Sequence, residues 1–257
     1  MCQGVVHKVT AIVQEEQAMK TIFIFIFLFF TSSISHAVEI NFSDNTFNDS
    51  DWTIADHTVG AGGTSNASQL LSGGNPNAYR RITTVLNSGP SERRIFSFNF
   101  NSTAIYDPSV SGAIDSIDYS EDAKIFSGAQ TIALALRQGG NIFNYSLVNT
   151  FVGTSWTSMN ATGLIATNFI QAVPGGFDPT LNPDFSATGS IIEFGFMRGR
   201  GTPNGPGPGA TAIGGIDNWN VTVNSAQQAT VPEPGSLSLL IAGMLSTLCI
   251  KYKGNKG

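Results

Sequence analysis

The side chains able to do chemistry are few. Between residues 38 and 230 there is a single histidine, His57, beside Asp56 in the run Asp51-Trp52-Thr53-Ile54-Ala55-Asp56-His57. A His–Asp pair can serve a nucleophilic serine, but no Gly-x-Ser-x-Gly elbow occurs in the chain to supply one. Glycoside hydrolysis needs two carboxyl groups flanking a cleft. Glu193, in Ser190-Ile191-Ile192-Glu193-Phe194, has no second acid in a Glu-x-Asp-x-x-Glu pattern. Both cysteines, Cys2 and Cys249, fall outside residues 38–230, so that segment is without disulfides, thiolate catalysis or a cysteine metal site.

Oxygen ligands are better represented. Asp44, Asp49 and Asp51 lie near the start of this segment and Asp217 near its end. Ca²⁺ takes six to eight oxygens from carboxylates, amides and carbonyls, so these four are candidate Ca²⁺ ligands if the first and last strands pair. The alternative for each is an Asx turn that satisfies local backbone amides. Trp52, Trp156 and Tyr79 are candidates for stacking on sugar rings, with core packing as the alternative, and Trp219 is expected in the core. Residues 38–230 hold 15 acidic and 8 basic residues, and phosphate recognition needs clustered Lys or Arg, so nucleic acid is excluded as a partner. The pairs Arg80-Arg81 and Arg93-Arg94 are expected at solvated strand ends.

The elements that must position these groups are strands. Phe96, Phe98 and Phe100 alternate with polar residues, as do Phe143, Tyr145 and Leu147, then Ile192, Phe194 and Phe196, and finally Trp219, Val221 and Val223; Ile132, Leu134 and Leu136 alternate with alanines. Period two with aromatic and β-branched residues marks a half-buried strand. Gln138-Gly139-Gly140-Asn141 between two such runs predicts a hairpin. Residues 60–77 and 199–215 are Gly-rich and predict interruptions, the second a long loop. No helical periodicity of useful length appears. The expectation is all-β: one antiparallel β-sandwich of jelly-roll type over 38–230, with Phe98, Phe194 and Val221 sharing the core between two sheets.

The two ends carry addresses rather than fold. Met19-Lys20 opens a signal-peptide pattern, with an apolar core from Thr21 to Phe30 and a small-x-small cleavage site at Ser35-His36-Ala37, giving a signal peptide over 19–37. Residues 1–18 place Glu15 and Glu16 before the positive region, and are read as a start assigned too early. At the other end stand Val231, Pro232, Glu233, Pro234 and Gly235, with an apolar run from Gly235 to Ile250, then Lys251, Lys253 and Lys256. That run is 16 residues, roughly 24 Å as a helix against a hydrocarbon core of about 30 Å, a short transmembrane helix. The lysines would hold its end on the cytoplasmic side.

The ordered set over 231–257 resembles the PEP-CTERM sorting signal of Gram-negative bacteria. The resemblance implies export by way of signal peptidase, recognition by an exosortase-type membrane protease, removal of the tail, and delivery from the inner membrane to the cell surface or extracellular matrix. A second resemblance rests on Gly215-Ile216-Asp217-Asn218-Trp219 and on Ile114-Asp115-Ser116-Ile117-Asp118. Both runs look like those of concanavalin-like and laminin-G-like jelly rolls of exported bacterial proteins. Together the readings imply a non-catalytic carbohydrate-binding or structural protein associated with exopolysaccharide and biofilm. The alternative is a glycoside hydrolase or lyase acting on that polysaccharide.

Overall fold

The period-two runs become strands of two antiparallel sheets. The computed structural model describes residues 37–202 and 207–226, within one compact unit, His36–Gln228. The signal peptide, the early start, and the tail with its helix lie outside the described residues. Among the described residues no helix is long and apolar enough to cross a membrane. The strands are β1 (Ala37–Asp44), β2 (Trp52–Gly60), β3 (Gly63–Gly74), β4 (Asn77–Leu86), β5 (Arg93–Tyr106), β6 (Ile114–Ser127), β7 (Gln130–Gln138), β8 (Asn141–Phe151), β9 (Thr157–Leu164), β10 (Ile170–Val173), β11 (Gly176–Asp178), β12 (Ile192–Thr202) and β13 (Ala210–Ala226).

The first sheet runs β3-β4-β13-β6-β9, with β1 also on β13; the second runs β11-β10-β8-β7-β12-β5-β2. The inner strands β4-β13-β6-β9 therefore face β5-β12-β7-β8. The chain leaves β4 for β5, returns to β6, crosses to β7 and β8, returns to β9, then crosses to β12 and back to β13. Eight strands wound this way form a jelly roll. The β7–β8 turn is the expected hairpin: Gln138 pairs with Asn141, and Gly139 and Gly140 both have positive φ, 57° and 83°, as a type I′ turn requires. First and last strands pair, Asp44 opposite Trp219 and Ala37 opposite Ala226.

The core between the sheets takes Leu134 and Leu136 from β7, Phe143 from β8, Phe194 and Phe196 from β12, and Ile216, Trp219, Val221 and Val223 from β13. Phe98 does not join it. Strand β5 alternates as expected but presents the opposite face: Phe96, Phe98 and Phe100 pack with Ala133, Ala135 and Met197 in a separate cluster on the far side of the second sheet. The inward positions are Ser97 and Asn99, both wholly buried.

The reason is charge. Arg198 and Arg80 point into the core, only 1% exposed each, and need polar partners there. The Arg80 Nε donates to Asn99 Oδ1 at 3.1 Å, and an Arg80 amino group reaches Asp49 at 2.7 Å. Arg198 meets Glu121 at 2.7 Å, and the Tyr119 hydroxyl also donates to that carboxylate. Burial pushes the Glu121 carboxyl and the Tyr119 hydroxyl above their usual ranges. Because both faces of β5 are covered, period two reveals the alternation and not which face is inward.

The Gly-rich stretch 60–77 is also different from expectation: most of it is β3, paired along β4 from Gly63 to Leu70. In the second stretch β12 continues through Gly199 and Gly201 to Thr202.

Candidate functional site

The outer face of the second sheet is concave. Strands β10 and β11 extend it at one edge, and the sheet curls until that edge meets the other: His57 Nε2 on β2 lies 2.9 Å from the Gly176 carbonyl. The Phe177 ring stands edge-on to Phe96 at 4.8 Å and 5.5 Å from the His57 ring. His57 is thus a strand residue that ties down the β10–β11 hairpin, rather than a loop histidine beside a nucleophile.

Beside that hairpin the curled sheet encloses a pocket of about 370 Å³, within the size range of small-molecule sites. Phe96, Phe177, Met197 and Ile170 form its apolar walls, and Arg94, Thr131, Asn144, Ser146, Asn149 and Thr150 supply its polar groups. A Cβ on Gly199 would stand 2.6 Å from the Phe96 ring, so that wall ring keeps its place against β12 only because position 199 has no side chain. Asn144 is 2% exposed and projects beside Ile170. Among the described residues no carboxylate, histidine or thiol lines the pocket. Its chemistry is that of apolar faces with amides, hydroxyls and the Arg94 guanidinium around them, which suits a ligand with a C–H face and a hydroxyl rim.

Glu193 lies on the same concave side, against Arg137 with Nε at 2.9 Å, while that guanidinium covers the Phe100 ring at 4.7 Å. It is a single carboxylate held by a cation.

The sequence-predicted residues separate. Trp52 is 5% exposed and enclosed by Phe47, Phe196 and Trp219, with its indole N–H donated to Asp44 at 2.8 Å. Neither ring face is left for a sugar. Tyr79 and Trp156 come together, 5.4 Å between rings, on the outer face of the first sheet.

The four acids take local partners. Asp44 accepts the amides of Thr46 and Phe47 at 2.7 and 2.8 Å. Asp49 takes Arg80 and the Gln69 amide, and Asp51 takes Asn48 and Ser50. Asp217 accepts the backbone amides of Asn218, at 2.7 Å, and of Asn75. Burial pushes its carboxyl up, against the pull of those two amides. Among the described residues no group of three or more His, Cys, Asp or Glu side chains comes together. Val231 to Gly235 lie outside the described residues.

The pocket residues were missed because their signals point elsewhere. Phe96 reads as core, and Phe177 follows a Pro-Gly-Gly run that reads as loop. The visible clue is the spacing Gly195, Gly199, Gly201 on one strand face opposite three alternating phenylalanines.

Fold and pocket together define the class: a jelly-roll β-sandwich with a walled, acid-free pocket on its concave sheet. No protein-family model matches the chain, and no curated protein matches it. Among solved structures it is similar to a family 11 carbohydrate-binding module from Clostridium thermocellum in complex with a β-1,3-1,4-mixed-linked tetrasaccharide. That match has 12% identity and a TM-score of 0.41, over 77% of this chain and 99% of that one. It is also similar to a xylan-binding domain from Paenibacillus barcinonensis, with 10% identity and a TM-score of 0.35 over 76% and 99%. An exo-β-agarase matches at 12% identity and a TM-score of 0.39, over 72% of this chain and 26% of that one. What those proteins bind is a property of those proteins.

Proposed function

We propose that this domain is a non-catalytic carbohydrate-binding module that holds an extracellular polysaccharide in the concave pocket. The observation that carries the reading is the pocket lining: the half-buried Phe177 ring, backed by the buried Phe96, beside Ser146, Thr131 and Asn149, with no pair of acids. Aromatic faces stack on the C–H face of a pyranose, and amides and hydroxyls meet its hydroxyls. Hydrolysis would need two carboxyl groups across the site, and Glu193 is already paired with Arg137.

The full-length protein should retain on an array of neutral and uronate-bearing polysaccharides. Phe177→Ala should weaken the retained glycan about tenfold, about 1.4 kcal/mol. Leu71→Ser, on an exposed stretch of β3, should leave it unchanged. Equal affinity in wild type and Phe177→Ala would remove the pocket from the account.

The same reading makes the protein an exported surface or matrix component, sorted by an exosortase-type protease and associated with exopolysaccharide and biofilm. What supports it is the sequence at both ends: the signal-peptide pattern before Val38, and the Pro232-Glu233-Pro234 motif with its apolar run and lysines. Sequencing of the exported protein should begin VEINFSD. Changing Pro232 and Pro234 to Ala should leave full-length chain in the inner membrane. A variant that reaches the surface as well as wild type would contradict the sorting reading.

A further inference from the structure

The outer face of the first sheet carries rings that the pocket does not use. Ile216 points into the core, so Gly215 points outward. A Cβ at Gly215 would stand 2.8 Å from Trp156, 3.0 Å from Tyr79 and 3.1 Å from Phe126. Its absence lets the three rings meet on the sheet: Tyr79 to Phe126 is 5.6 Å and Phe126 to Trp156 is 6.4 Å. The Trp156 indole N–H donates to the Gly73 carbonyl at 3.1 Å, which fixes the ring. Tyr79 is buried beneath, whereas Phe126 is 42% exposed and Trp156 half-buried. The Lys124 ammonium lies 5.1 Å from the Phe126 ring.

Hydrogen-bonding groups adjoin the rings. Asp217 sits two residues beyond Gly215 on the same face and pairs across the ladder with Asp122. The side-chain amide nitrogens of Asn218 and Asn75 both donate to Asp122, at 2.7 and 3.0 Å. Both amide oxygens are without a donor among the described residues, and both residues are exposed. Asn218 is held there with φ of 49°, a left-handed conformation Asn tolerates better than most residues. An exposed ring and an ammonium, with two amide acceptors farther along the same face, match a glycan chain, its C–H faces on the rings and its hydroxyls on the amides.

We propose that this face is a second glycan-binding site, on the opposite side of the sandwich from the pocket, so that one domain joins two polysaccharide chains. The joining rests on the pocket reading above; the second site itself does not.

The chain has three tryptophans. Trp52 and Trp219 are 5% and 1% exposed, so acrylamide quenching reports on Trp156. The full-length protein is titrated with a soluble β-glucan, a galactan and alginate. At least one polymer should cut Trp156 quenching at least twofold. Phe126→Ser should weaken that protection at least fivefold, with a small fall in melting temperature and an unchanged circular-dichroism spectrum. Phe177→Ala should keep the protection. Wild type should turn the polymer solution turbid by cross-linking, and either variant alone should bind without turbidity. Polymer retained in a gel with Trp156 quenching unchanged would overturn the second site and leave the pocket standing. No polymer protecting Trp156 would also overturn it. Turbidity persisting in both single variants would overturn the joining of two chains.

Discussion

Replacing Arg198 with Met is expected to destabilise the domain by about 3–5 kcal/mol, because it leaves a buried charge without its partner. Arg198 and Glu121 are 1% and 0% exposed at the side chain and meet at 2.7 Å across the two sheets. A lone Glu121 would retain only the Tyr119 hydroxyl. At about 2–4 °C per kcal/mol for a domain of this size, the melting temperature should fall by about 6–20 °C. The loss should depend on pH. Burial already raises the folded-state pKa of Glu121 above its ordinary value, and removing the guanidinium raises it further. A raised carboxyl contributes stability that is fully present below the unfolded pKa and is lost as pH rises through the folded pKa. The variant should therefore be closer to wild type at about pH 5 than at about pH 8. The double change Arg198→Met with Glu121→Met should recover most of the loss, since a buried pair replaced by apolar residues of similar size is often neutral. A double variant as unstable as the single one would show that the pair contributes more than its own neutrality.

Phe194→Ala is expected to cost about 3–5 kcal/mol, the usual range for a buried phenylalanine. Phe194 is wholly buried in the core between the sheets. The informative comparison is with Asn99. Read as the polar side of an alternating strand, Asn99→Ala would be harmless. In the structure Asn99 is wholly buried and accepts from Arg80 Nε, so removing it strands a buried guanidinium donor at about 1–3 kcal/mol. Phe98→Ala should also be costly, through the concave cluster rather than the core. Thermal melts of the three variants check this. A neutral Asn99→Ala would mean that β5 turns its phenylalanines inward after all.

How far the sequence reached can be judged on particular residues. The alternation of Phe194 with Phe196 and of Trp219 with Val221 and Val223 gives the right faces, because each of these strands puts its apolar side into the core. The Gly139-Gly140 hairpin was legible because positive φ at two successive residues has a short list of sequences. The β5 face was not legible. Its phenylalanines and its Ser97 and Asn99 are all buried, and the choice between faces follows the buried Arg80 on a neighbouring strand, whose Nε donates to Asn99. The first and last strands do pair, the condition on which the reading of the four acids rested, and Asp44 and Asp217 accept nearby backbone amides there. Tyr79 and Trp156 are both legible as rings able to stack on a sugar. That they would meet over Gly215 was hidden, since the meeting requires three strands and a loop in register.

The most direct test of the central claim is retention without cleavage. Full-length protein is run through gels containing each polysaccharide of the panel, and the retained polymer is incubated with the protein and assayed for new reducing ends or unsaturated products. The account predicts slowed migration in at least one polymer, weaker slowing in Phe177→Ala that is lost when Phe126→Ser is added, and no products above background. Release of products that is abolished by Glu193→Gln would contradict it, and would make the protein a carbohydrate-cleaving enzyme.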